Sequence, residues 1–62
     1  MRNSFICICG EKVFCERTPD QIFECLVDLI GPAEAIEASS WCELASIGEE
    51  YDTENVYITL IG

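Results

Sequence analysis

Phe5-Ile6-Cys7-Ile8-Cys9 is an unbroken run of apolar residues that ends at Gly10. Its length, its isoleucines and the glycine that follows favour a β-strand over a helical segment. Because successive strand residues point to opposite faces, Phe5, Cys7 and Cys9 should share one face and the isoleucines the other. Both faces are apolar, so we expect the central strand of a small sheet, buried on both sides.

Two further strands are expected to flank this one. Gly10-Glu11-Lys12 suits a short hairpin loop, and residues 13–16 form a shorter second strand whose charged end is typical of a sheet edge. Residues 56–61 are rich in β-branched and aromatic side chains with a period of two, and they predict a third strand that pairs with the first. Val56, Ile58 and Leu60 should face the core.

A first helix is predicted between these strands. Thr18 is a suitable N-cap, Pro19 suits the first helical position, and Gln21 completes a capping box. The helix should end near residue 30, because Gly31 accepts a left-handed conformation and Pro32 cannot continue the helix.

A second helix is predicted over residues 32–46. Ser39 and Ser40 leave open whether this segment is one helix or two short ones, and we favour one helix that ends before Gly48. The apolar stripe expected to face the core comprises Ile36, Ser40, Leu44 and Ile47.

These elements predict a single small α+β domain over residues 1–62. Its order is ββααβ, with a three-stranded antiparallel sheet and both helices on one face. The other sheet face is apolar and needs a cover, which suggests a homodimer or a target protein.

The five cysteines do not indicate a disulfide framework. An odd number leaves one thiol unpaired and favours a reducing compartment, where reduced cysteines pack as small apolar residues. A zinc site from Cys7, Cys9 and Cys15, with or without Cys42, is the alternative, but the chain has no histidine and no C-x-x-C pair. We therefore expect no metal and no cofactor.

Charge is strongly segregated along the chain, whose formal net charge is −9. Residues 1–17 contain all three basic residues and two carboxylates, whereas residues 18–62 contain ten carboxylates and no basic residue. Such a chain repels nucleic acid and anionic membranes and is attracted to basic protein surfaces. Without a leader or a spanning segment, we expect a soluble, cytoplasmic protein.

Catalysis is not expected. The missing histidine removes the commonest general base, and the four glycines are too scattered for a phosphate-binding loop.

The segment Trp41-Cys42-Glu43-Leu44-Ala45, with Gly48-Glu49, Tyr51, an acidic turn and a terminal strand, resembles a pattern in small phage and mobile-element proteins. In size, acidity and lack of catalytic residues the chain is also similar to phage-encoded inhibitors such as anti-CRISPR proteins. This resemblance implies an inhibitor that occupies a site on a nuclease complex, in some cases by imitating nucleic acid.

We therefore predict a non-enzymatic acidic protein that blocks a basic, nucleic-acid-handling host protein such as a CRISPR nuclease complex, with no direct contact to nucleic acid or membrane. The alternatives are a self-associating structural module and a small zinc-binding domain. The predicted partner-binding residues are Glu34, Glu37, Glu43, Glu49, Glu50, Tyr51, Asp52 and Glu54.

Overall fold

The computed structural model describes residues 3–62 and confirms the α+β class. Its elements in chain order are β1 Ser4–Cys9, β2 Lys12–Glu16, α1 Pro19–Ile30, α2 Pro32–Leu44, β3 Glu50–Asp52 and β4 Tyr57–Ile61. The strands form one antiparallel sheet in the order β2-β1-β4-β3. As predicted, β1 is central, β2 is an edge strand, and the C-terminal strand pairs with β1.

The prediction of three strands in the order ββααβ is wrong, because β3 lies in the polar connection before β4. Glutamate and aspartate have low strand propensity, so a segment with acids on both sides of Tyr51 does not resemble a strand. Contacts of Tyr51 stabilise the strand instead. Tyr51 lies opposite Ile58, and its ring centroid is 5.4 Å from that of Trp41. Strand β3 therefore depends on tertiary contacts.

The two faces of the sheet differ in burial. The inner face carries Phe5 and Cys7 of β1 and Ile58 and Leu60 of β4, and both helices pack against it. The buried core residues are Phe5, Cys7, Ile22, Leu26, Ala35, Ala38, Cys42, Val56, Ile58 and Leu60. Among residues 3–62 no element covers the outer face, where Ile8 is 39% exposed. The prediction that β1 is buried on both sides is therefore wrong.

Helix α1 begins and ends as its sequence predicts. The Thr18 Oγ1 accepts a hydrogen bond from the Gln21 backbone N–H at 3.2 Å, and the Gln21 Oε1 accepts one from the Thr18 N–H at 3.1 Å. Gly31 lies between the helices at φ 87° and ψ 161°, a region essentially restricted to glycine. This single residue turns the chain from α1 into α2.

Helix α2 is one continuous helix, but it buries a different face from the predicted one. Ala35, Ala38 and Cys42 are buried, whereas Ile36 is 54% and Leu44 86% exposed. Small residues let α2 approach α1 and the sheet closely, which a stripe of large side chains would prevent. The helix ends at Leu44, before the predicted stop at Gly48.

Neither helix in residues 3–62 has the length and apolar content required to cross a bilayer.

Candidate functional site

Strand β3 places two carboxylates on the outer side of the sheet edge. Glu50 and Asp52 are exposed and point to the same side, ~7 Å apart along the strand, while the half-buried Tyr51 points inward. The Tyr57 hydroxyl on β4 donates a hydrogen bond of 2.9 Å to the Glu50 Oε2. This hydrogen bond, together with the nearby negative charge, raises the pKa of Tyr57.

Helix α2 brings two more carboxylates to this edge from the helix layer. The Glu34 Oε2 accepts a hydrogen bond of 2.8 Å from the Asn55 Nδ2, which ties the turn before β4 to the helix. Burial raises the pKa of Tyr51, and the negative charges of Glu37 and Glu34 raise it further. Glu37 lies one turn before Trp41 on the same side of α2, and Trp41 packs on Tyr51, so both glutamates lie on the helix side of β3.

The segments flanking β3 contribute the remaining two carboxylates. The Glu49 Oε1 accepts a hydrogen bond of 2.7 Å from the Ser46 backbone N–H. Glu54 is exposed in the turn between β3 and β4. The Thr53 Oγ1 stabilises this turn by accepting hydrogen bonds from the backbone N–H groups of residues 55 and 56, both at 3.2 Å. We call the resulting surface the acidic edge; it consists of Glu34, Glu37, Glu49, Glu50, Asp52 and Glu54.

The structure places the other two predicted residues differently. Glu43 lines a cavity of about 430 Å³ together with Arg17, Pro19 and Leu60, close to the starts of β1 and α1. Tyr51 packs against Trp41 beneath β3, so its ring supports the acidic edge and is only partly accessible. Sequence reasoning also missed Asn55 and Tyr57, which hydrogen-bond the acidic edge; only their position beside the acidic segment hinted at this.

The two described basic residues and the acidic edge lie at opposite edges of the sheet. Lys12 is the first residue of β2 and Arg17 follows its last residue, so two strands separate them from β3. No basic residue occurs in residues 18–62, the part of the chain that contains the whole acidic edge. The negative field at β3 is therefore largely uncompensated by the chain itself.

The cysteines do not assemble a metal site in residues 3–62, where no group of potential ligands could hold an ion. Cys15 lies opposite Ile6 on the outer face, whereas Cys7 belongs to the inner face. Burial raises the pKa of Cys7 to about 12 and that of Cys42 to about 11, so both thiols are protonated at neutral pH. The four thiols of the zinc alternative thus lack a common site.

No protein-family model, curated protein or solved structure matches the chain.

Proposed function

We propose that this chain is a non-enzymatic binding protein whose acidic edge occupies a basic, nucleic-acid-binding surface of a host protein. A CRISPR nuclease complex is the class of target that the resemblance to phage-encoded inhibitors implies. The observation that supports this proposal is the acidic edge itself: six exposed carboxylates from a strand, a helix and two connections, with no basic residue among them. In the complex these carboxylates stand in for phosphates.

The arrangement suits binding because several carboxylates are held in place before a partner arrives. Hydrogen bonds from Tyr57, Asn55 and the Ser46 N–H restrain Glu50, Glu34 and Glu49, which lowers the entropy lost on association. Both tyrosines keep their protons at neutral pH, because the ordinary tyrosine pKa is ~10. Burial of Tyr51 and the hydrogen bond from Tyr57 to Glu50 raise the two pKa values further. They act as donors and supports, and not as general bases.

The sign and placement of the charge favour a basic partner. A net charge of −9 repels nucleic acid, while a basic groove that normally holds phosphates attracts the acidic edge and speeds association. Because exposed charges are screened, binding should weaken steeply as the salt concentration rises.

A pull-down from a cognate cell lysate tests the proposal. The natural protein is compared with a variant carrying Glu49→Gln, Glu50→Gln, Asp52→Asn and Glu54→Gln. We expect the natural protein to capture a nucleic-acid-binding protein, identified by mass spectrometry, and the variant to lose it. Added duplex DNA or structured RNA should displace the captured protein, because both ligands use the same surface.

A charge-matched control shows whether capture depends on the position of the carboxylates or on the total charge of the protein. Neutralising Asp20, Glu24, Asp28 and Glu43 removes the same number of charges from exposed positions outside the acidic edge. This control should still capture the partner. Equal losses in both variants, or capture that does not change with salt, would contradict the proposal.

A further inference from the structure

The side chains on the outer face of the sheet change from apolar at the β2 edge to acidic at the β3 edge. Pairing registers place Val13, Ile8, Tyr57 and Asp52 in one row across the four strands, and Cys15, Ile6, Thr59 and Glu50 in the next row. Each row runs from apolar on β2 and β1, through a hydroxyl on β4, to a carboxylate on β3. With strands ~4.8 Å apart, this change occurs over ~14 Å.

The apolar part of this face is accessible to a partner. Val13 is 65% exposed, Ile61 47% and Ile8 39%. We call Ile6, Ile8, Val13, Cys15, Tyr57 and Ile61 the outer apolar face. In residues 3–62 the helices pack only against the opposite side, so nothing in this part of the chain shields the outer apolar face from water.

A second copy of the chain is a poor occupant of this face. In a face-to-face dimer with its two-fold axis parallel to the strands, Glu50 and Asp52 of one copy lie over the β2 residues Val13 and Cys15 of the other. With the axis perpendicular to the strands and parallel to the sheet, β3 lies over β3 and carboxylates meet carboxylates. In the first arrangement Val13 and Cys15 directly face the carboxylates and the cations Lys12 and Arg17 lie only at the ends of β2, and in the second arrangement like charges meet, so both bury carboxylates unfavourably.

We infer that the outer apolar face binds an amphipathic helix whose apolar stripe lies over β1 and β2 and whose lysines or arginines meet Glu50 and Asp52. A helix with its side chains is ~10–12 Å wide, so one laid along the strands covers β2, β1 and β4 and reaches β3 with one flank. Such a helix packs on this face as α1 and α2 pack on the other. This inference rests on the proposed function, since the helix belongs to the basic protein proposed above.

The test uses the full chain and synthetic helical peptides of about 15 residues, which are ~22 Å long. The first peptide has leucines at i, i+3, i+4 and i+7 with lysines along one flank of that stripe. The second has the same composition with its leucines dispersed around the helix. Binding is followed by ¹⁵N–¹H NMR titration and by calorimetry at low and high salt.

We expect the striped peptide to shift the amide signals of β1, β2 and β4, to leave those of α1 largely unchanged, and to bind more weakly at high salt. Val13→Asp should weaken binding at least about tenfold. Leu44→Asp makes the same kind of change at an apolar position that is 86% exposed on α2, and it should stay within about twofold of the natural protein. Ile8→Thr keeps a β-branched side chain and provides a second outer-face variant if Val13→Asp unfolds.

Three outcomes would overturn the inference: no binding of the striped peptide, equal binding of the dispersed peptide, or outer-face signals that move with protein concentration alone. Equal binding of both peptides points to charge alone and leaves the proposed function standing. If the acidic-edge variant loses lysate capture and Val13→Asp keeps it, the proposed function stands and the helix-binding inference fails. Retained capture by the acidic-edge variant contradicts the proposed function, whatever the peptides do.

Discussion

Replacing Ala38 by leucine tests which face of α2 is buried. Ala38 is fully buried with Ala35 in the packing between α2, α1 and the sheet. Leucine adds three carbon atoms there, and their burial would be favourable only if space existed for them. In a close-packed interior the larger side chain displaces its neighbours instead, at a cost of about 1–3 kcal/mol. A chain of this length has a total stability of only ~3–9 kcal/mol, so this loss is large.

Two variants on the same helix serve as controls. Ala33→Leu makes the identical change at an exposed position, and alanine and leucine have similar helix propensities, so its effect should be below ~0.5 kcal/mol. Ile36→Ala removes a side chain that is already 54% exposed and should cost less than ~1 kcal/mol.

Urea denaturation followed by circular dichroism measures these differences. For a domain of this size, the free energy lost in Ala38→Leu should also lower the melting temperature by at least ~4 °C. If Ile36→Ala instead destabilises the protein by the 2–5 kcal/mol typical of a core truncation while Ala38→Leu is neutral, α2 buries the face of Ile36 and the packing described above is wrong.

Three further results are expected. Gly31→Ala should cost about 1–3 kcal/mol in urea denaturation, because Gly31 has a backbone conformation essentially restricted to glycine. Space is not the obstacle, since among the described residues beyond its chain neighbours no atom lies within 4 Å of the added Cβ. A neutral result would contradict the conformation of Gly31. The exposed Cys15 should react quickly with an aromatic disulfide reagent at pH 8 while Cys7 reacts only on unfolding, and rapid reaction of Cys7 would show that the core opens readily. Tyr57 should ionise at higher pH in the folded than in the urea-unfolded protein, because its hydroxyl donates to Glu50. Its contribution to stability is therefore present below its ordinary pKa of ~10 and is lost as the pH rises through the raised pKa. Absorbance at the tyrosinate band measures this shift, and Tyr57→Phe should remove the late-ionising component from the titration curve.

Local signals predicted the elements whose structure is decided locally. The reciprocal hydrogen bonds of Thr18 and Gln21 are a property of a few neighbouring residues, so the capping box located the start of α1. The glycine between the helices and the alternation in β4 were informative for the same reason.

The wrong predictions concern elements whose structure depends on tertiary contacts. Strand β3 has the composition of a loop, and its Tyr51 pairs with Ile58 across the strands and packs against the ring of Trp41. In α2 the large apolar residues suggested one buried face, whereas close approach to α1 favours the face with the smallest side chains. All six carboxylates of the acidic edge were candidates from the sequence, but the hydrogen bond from Asn55 to Glu34 joins residues that are neighbours only in the folded chain.

The shortness and charge of β3 also affect how the protein behaves at high concentration. A sheet edge exposes unpaired N–H and C=O groups, on which the strand of another molecule can add and begin aggregation. At β3 an incoming strand would find only three residues to pair with, and it would meet Glu50 and Asp52 on the outer side. These carboxylates act as gatekeepers against growth of the sheet at neutral pH. Glu50→Gln with Asp52→Asn removes that protection, so this variant should assemble into β-rich aggregates from its β3 edge at lower concentration than the natural protein does.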